Sequence, residues 1–125
     1  MPEVKATILC IDDEAVPLML RKSVLEKYGF EVIPALSGAE ALQRLESQPV
    51  DLVLTDLLMP AISGAELARC VKRRWPELPV ILYSGVNEIP EDATCADLFL
   101  SKLEGPAAMC QKIEELLNRA RAKSA

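Results

Sequence analysis

Residues 51–60 read DLVLTDLLMP, an aliphatic run from Leu52 to Leu54 that closes on Thr55 and Asp56 before the aliphatics resume. A run this short and nearly unbroken suits a strand buried on both faces, as in a parallel sheet covered by helices. An acid at its end is costly unless something binds it or it reacts. Upstream, TILCIDDE at residues 7–14 closes a second apolar run on two acids, Asp12 and Asp13.

Working outward from 51–60, strand-like and helix-like patterns alternate along the chain. Strands are predicted at Thr7–Ile11, Glu31–Ala35, Asp51–Thr55, Pro79–Tyr83 and Asp97–Leu100. The first helix is predicted over Ala15–Tyr28, with Leu20, Val24, Leu25 and Tyr28 on its buried side and Gly29 as its stop. SGAE occurs twice, at Ser37–Glu40 and Ser63–Glu66, and each copy reads as a capping box opening an amphipathic helix. The last helix opens at Pro106 with Met109, Ile113, Leu116, Leu117 and Ala120 as its apolar stripe. Between Asn87 and Ala96, Pro90 and scattered acids leave room only for a short helix. Five strands alternating with five helices imply right-handed crossovers and a doubly wound α/β sandwich, for which the flavodoxin-like order 2-1-3-4-5 is one five-stranded arrangement. The whole chain, 1–125, reads as one domain.

Composition narrows the chemistry. Half of the 125 residues are hydrophobic and the mean hydropathy is +0.17, which is enough apolar material for a core. The net charge of -5 disfavours direct nucleic-acid binding. The basic clusters Lys72, Arg73, Arg74 and Arg119, Arg121, Lys123 lie near expected helix C-termini, where they complement the dipole. Histidine is absent, and Cys10, Cys70, Cys95 and Cys110 show no C-x-x-C spacing, so zinc sites and His-dependent triads are excluded. The cysteines read as small buried hydrophobes in a reducing cytoplasm. No signal peptide and no ~20-residue apolar span are present, so no membrane association is expected.

In an open α/β sheet, ligands bind beyond the carboxyl ends of the strands where the strand order reverses. In the order 2-1-3-4-5 the first and third strands flank that point, which brings Asp12, Asp13 and Asp56 together. The fourth strand ends at Ser84 and the fifth near Lys102, so the rim holds three carboxylates, a hydroxyl and an ammonium. Three acids and one lysine sum to minus two, a charge that a divalent cation cancels. All the donors are hard oxygens, which selects Mg²⁺ (or Mn²⁺). Mg²⁺ takes one or two carboxylates, leaving one aspartate free to attack phosphorus. Asp56, on the central strand, is assigned as that nucleophile, with Lys102 and Ser84 as stabilisers of the phosphoryl oxygens.

With these residues in place, the chain resembles the receiver domain of two-component response regulators over nearly its whole length. The match rests on Asp12, Asp13, Asp56, Ser84 and Lys102 in order, on LTDLLMP followed by Ser63-Gly64, and on ILYSG. The resemblance implies that Asp56 accepts a phosphoryl group from the phosphohistidine of a sensor kinase, or from a phosphotransfer protein. It implies Mg²⁺ held by Asp12, Asp13, Asp56 and the Leu58 backbone carbonyl, with Asp13 as a direct ligand. It also implies a switch through Ser84 and Phe99 that presents a face to a downstream protein or a fused output domain. Such a domain is no enzyme in the usual sense, catalysing only its own phosphorylation and dephosphorylation. Leu58 and Val86 stand where the family tunes attack by water, and neither orients one, so slow autodephosphorylation is expected. Leu103 replaces the family's usual proline after the lysine. A cis non-proline bond costs ~2.5–4 kcal/mol, so a trans bond or a strained loop is expected there.

Other readings fit less well. A phosphatase of the haloacid-dehalogenase type needs an acid where Leu58 stands, and DDEAVP would repel the phosphate of FMN. A pseudo-receiver that binds proteins without being phosphorylated is the remaining alternative. Leu18 and Met19 fall off the expected buried stripe of the first helix, which makes them candidates for docking a helical phosphodonor.

Overall fold

The computed structural model describes residues 4–85 and 95–124. Five strands, β1 (Thr7–Ile11), β2 (Glu31–Ala35), β3 (Leu52–Asp56), β4 (Val80–Ser84) and β5 (Leu98–Ser101), form one parallel sheet in the order β2-β1-β3-β4-β5. Four helices are present among the described residues: α1 (Ala15–Lys27), α2 (Gly38–Ser47), α3 (Gly64–Arg74) and α4 (Pro106–Ser124). The short helix expected at 87–96 lies mostly outside the described residues, as does Val86.

Side chains alternate across the sheet with period two, as a pleat requires. Ile8, Cys10, Leu54, Ile81 and Leu100 point to one face, where α1 and α4 cover them with Leu18, Leu25, Ile113 and Leu117. Leu9, Ile11, Val53, Val80 and Leu82 point to the other, under Ala41 and Leu45 of α2 and Leu67, Ala68 and Val71 of α3. The serine cap of each expected capping box forms: the Glu40 amide donates to Ser37 Oγ at 3.1 Å and the Glu66 amide to Ser63 Oγ at 3.2 Å. Gly29 takes φ 98° and ends α1 in the left-handed conformation open to glycine.

Three expectations need correction. The last three strands each lie one residue later than read. Asp51 is outside β3 because its carboxylate is taken up at the edge by the Thr7 amide, 2.7 Å away. Pro79 has no amide hydrogen to donate, so β4 begins at Val80, whose amide goes to Asp97 Oδ2 at 2.8 Å, and β5 begins after that acid. The shift makes Asp56, Ser84 and Ser101 terminal strand residues.

The second correction is the phase of α1. Its buried residues are Leu18, Arg21 and Leu25, whereas Leu20 is 65% exposed and Tyr28 caps the C-terminus, exposed. Leu18 therefore belongs to the core and presents nothing to a partner, while Met19 is exposed. An arginine on the buried stripe breaks the apolar periodicity and hides the phase. The third concerns the cysteines: all four are free, but only Cys10 and Cys110 are buried, Cys70 and Cys95 being partly exposed.

Candidate functional site

The strand ends bring the acids together. Asp12 follows β1, Asp13 opens the β1–α1 loop, and Asp56 closes the neighbouring β3. One carboxylate oxygen from each lies within 4.8 Å of the others. Asp12 and Asp56 are buried, and Asp13 is exposed at the mouth. Glu14 occupies the N-cap position of α1 without a side-chain hydrogen bond. The Glu14 amide instead donates to Asp12 Oδ1 at 3.0 Å, tying that acid to the first turn.

Lys102 reaches the cluster from the residue after β5, its Nζ 3.0 Å from Asp56 Oδ1. Its amide donates to the Ser84 carbonyl at 2.9 Å, which fixes the loop root to the end of β4. No peptide bond among the described residues is cis, so Lys102-Leu103 is trans, and the ammonium reaches Asp56 without the family's proline. Ser84 ends β4 beside Ser101, half-buried. Phe99, two residues before Ser101 on β5, is half-buried on the same face of the sheet as Ser84, against the cluster under α2 and α3.

Close packing holds the β3–α3 loop against the site. The Gly64 amide donates to the Leu57 carbonyl at 2.8 Å, and a Cβ on Gly64 would collide with the Asp56 carbonyl oxygen and lie 2.8 Å from Leu57 Cα. That contact explains the Ser63-Gly64 pair: serine caps α3 and glycine lets the helix start against the strand end. Ala61 in the same loop has φ 66°. Leu57 is buried, whereas Leu58 points to solvent at 64% exposure.

Arg21 is the site residue the sequence reading missed. Its Nη2 lies 3.2 Å from Asp12 Oδ2 with both side chains buried, and its Nη1 is 3.9 Å from Cys10 Sγ. Its guanidinium carbon stands 4.6 Å from the centre of the Tyr83 ring, and Lys102 Nζ lies 5.7 Å from that same centre. One aromatic ring thus flanks both cations of the site. Burial works against the Arg21 charge, but its interactions with Cys10 and Asp12 prevail and raise its pKa above the ordinary value. Burial pushes the Cys10 thiol up to about 11, so it is a neutral neighbour at physiological pH. The signal was the 18–21–25 spacing, with arginine where an apolar residue is usual.

A cavity of about 760 Å³ lies elsewhere. It is lined by Trp75, Leu78, Pro79 and Leu117 at the amino ends of the strands, opposite the acids.

This fold and constellation are those of a known family, and the family model described as the response regulator receiver domain matches residues 8–114. The chain belongs to the response regulator receiver domain family. The receiver is 34% identical over 118 residues to the response regulator GtcR of Aneurinibacillus migulanus, covering 91% of this chain and 48% of that protein. It therefore spans about half the length of that relative. A receiver domain protein of Clostridium thermocellum superposes with a TM-score of 0.86 at 32% identity, over 94% of this chain and 98% of that one. The response regulator protein TrrA of Thermotoga maritima, in complex with Mg²⁺-BeF, does so with a TM-score of 0.84 at 30% identity, over 89% of this chain and 98% of that one. Receivers are phosphorylation-based signalling modules and not classical enzymes. Among the described residues no helix is long and apolar enough to cross a membrane.

Proposed function

We propose that the chain, read as one receiver domain over 1–125, accepts a phosphoryl group on Asp56 from the phosphohistidine of a cytoplasmic sensor kinase or phosphotransfer protein. The observation that carries this reading is the placement of Asp56: buried at the end of the central strand, 3.0 Å from Lys102 and clustered with Asp12 and Asp13. An Asp56 oxygen attacks phosphorus as the bond to the donor nitrogen breaks, forming an acyl phosphate. Lys102 is already on Asp56 Oδ1 and keeps a positive charge where the phosphoryl oxygens arrive. Ser84, ending the adjacent strand, offers a hydroxyl to the same oxygens.

The donor set suits Mg²⁺, which is hard and octahedral, and the TrrA structure is a complex with Mg²⁺-BeF. Asp13, Asp56 and the Leu58 carbonyl would hold it directly, with Asp12 behind them. When bound, the cation neutralises charge on the phosphoryl oxygens. Ser84 and Phe99 are assigned as the switch pair that reports phosphorylation to a downstream protein or output domain. Leu58, aliphatic and exposed, cannot orient an attacking water, so the aspartyl phosphate is long-lived.

Intact mass after incubation with acetyl phosphate tests this reading. Wild type should gain one phosphoryl group only with Mg²⁺, Asp56→Asn should gain none, and the adduct should decay over many minutes or longer. No adduct on wild type, or an equal adduct on Asp56→Asn, overturns the assignment. A half-life of seconds overturns the lifetime argument alone.

A further inference from the structure

We propose that Arg21 sets the divalent-cation affinity of the acidic site by holding Asp12 and cancelling its charge. The inference rests on the reading that the carboxylates bind such a cation. Arg21 projects from the buried face of α1 between Leu18 and Leu25, and it is only 8% exposed. A guanidinium so placed is held on every side: Asp12 Oδ2 at 3.2 Å, Cys10 Sγ at 3.9 Å, and the Tyr83 ring centre at 4.6 Å. Asp12 is engaged at both oxygens, since Oδ1 takes the Glu14 amide. Asp13 and Asp56 remain as the carboxylates nearer to solvent, Asp56 being shared with Lys102.

The charge count follows from these contacts. Asp12, Asp13 and Asp56 carry minus three, and Lys102 alone would leave minus two for an incoming cation. Arg21 reduces this to minus one. Buried charges are poorly screened, so one unit counts heavily at this range. Arg21 thereby weakens cation binding in the resting domain, while its fork and the Tyr83 ring keep Asp12 from turning toward the mouth. Arg21 is a positioning residue: its effect on the cation passes through Asp12.

Isothermal titration of MgCl₂ into the full chain, at constant ionic strength and without a phosphodonor, separates the possibilities. Arg21→Met should bind Mg²⁺ about tenfold more tightly than wild type. Arg21→Lys keeps the charge but loses the fork, and should fall between wild type and Arg21→Met. Arg21→Gln removes the charge but keeps a donor to Asp12. It should move in the same direction as methionine and replaces that variant if methionine does not fold. Loss of a merely structural arginine would not tighten metal binding. Unchanged or weaker Mg²⁺ binding in the folded neutral variants overturns the proposal. Asp13→Asn tests the underlying reading separately: it should lose Mg²⁺ binding, and binding at wild-type strength would show that the carboxylates are not the cation site.

Discussion

At the scale of single residues, the site is built by pairing each buried charge with a partner that leaves its chemistry intact. Asp56 has Lys102, and Asp12 has Arg21 and the Glu14 amide. Cys10 beneath them is wholly buried and stays a thiol, because burial holds its pKa at about 11. This has a consequence for stability. In the unfolded chain the thiol ionises near its ordinary value of 9.0, so between pH 9 and about 11 the folded state holds more protons than the unfolded one. Stability from this group is fully present below pH 9 and is lost as pH rises toward 11, by up to ~3 kcal/mol. Urea unfolding at pH 8 and pH 10.5 should show wild type losing more stability than Cys10→Ala over that interval. Equal losses would mean that Cys10 is not what titrates.

At the scale of elements, α1 carries two apolar faces, and only one is covered. Leu18 and Leu25 enter the core with Arg21 between them, while Val16, Met19 and Leu20 stand exposed at i, i+3, i+4 spacing on the outside. The periodicity alone could not phase this helix, because apolar residues sit on both sides and one of its charged residues, Arg21, is inside. The strands were legible to within one residue, since buried β-branched and leucine runs leave little freedom. Both SGAE serine caps were legible because capping is local chemistry. The outer stripe of α1 begins one turn from the acids, and under the proposed function it is where a helical phosphodonor would dock, with Met19 on it and Leu18 off it. Met19→Arg should lower phosphotransfer from the cognate kinase at least tenfold while leaving labelling by acetyl phosphate unchanged. A parallel fall in both rates would place the effect in the site and not in docking.

At the scale of the whole molecule, the parallel order β2-β1-β3-β4-β5 turns five separated sequence positions into one site. The meeting of Asp12, Asp13, Asp56 and Lys102, and the end of β4 at Ser84 on the same edge, were legible because topology alone carries strand ends to one edge. Arg21 and Tyr83 were not, since their meeting depends on how α1 is rotated against β4, a tertiary fact with no local signature. The same topology ties the two halves of the core together. Every strand contributes to both apolar clusters, so neither can melt without exposing the reverse side of the sheet. Trp75 packs against the cluster under α2 and α3 only, whereas far-UV circular dichroism reads all the helices. If the two clusters form one cooperative unit, Trp75 fluorescence and circular dichroism should give coincident urea transitions, with one midpoint and one slope of ~1–3 kcal/mol per molar. A fluorescence midpoint displaced from the dichroism midpoint would mean that the α2–α3 side opens separately. The rigid shelf that holds Asp56 would then rest on the α1–α4 side alone.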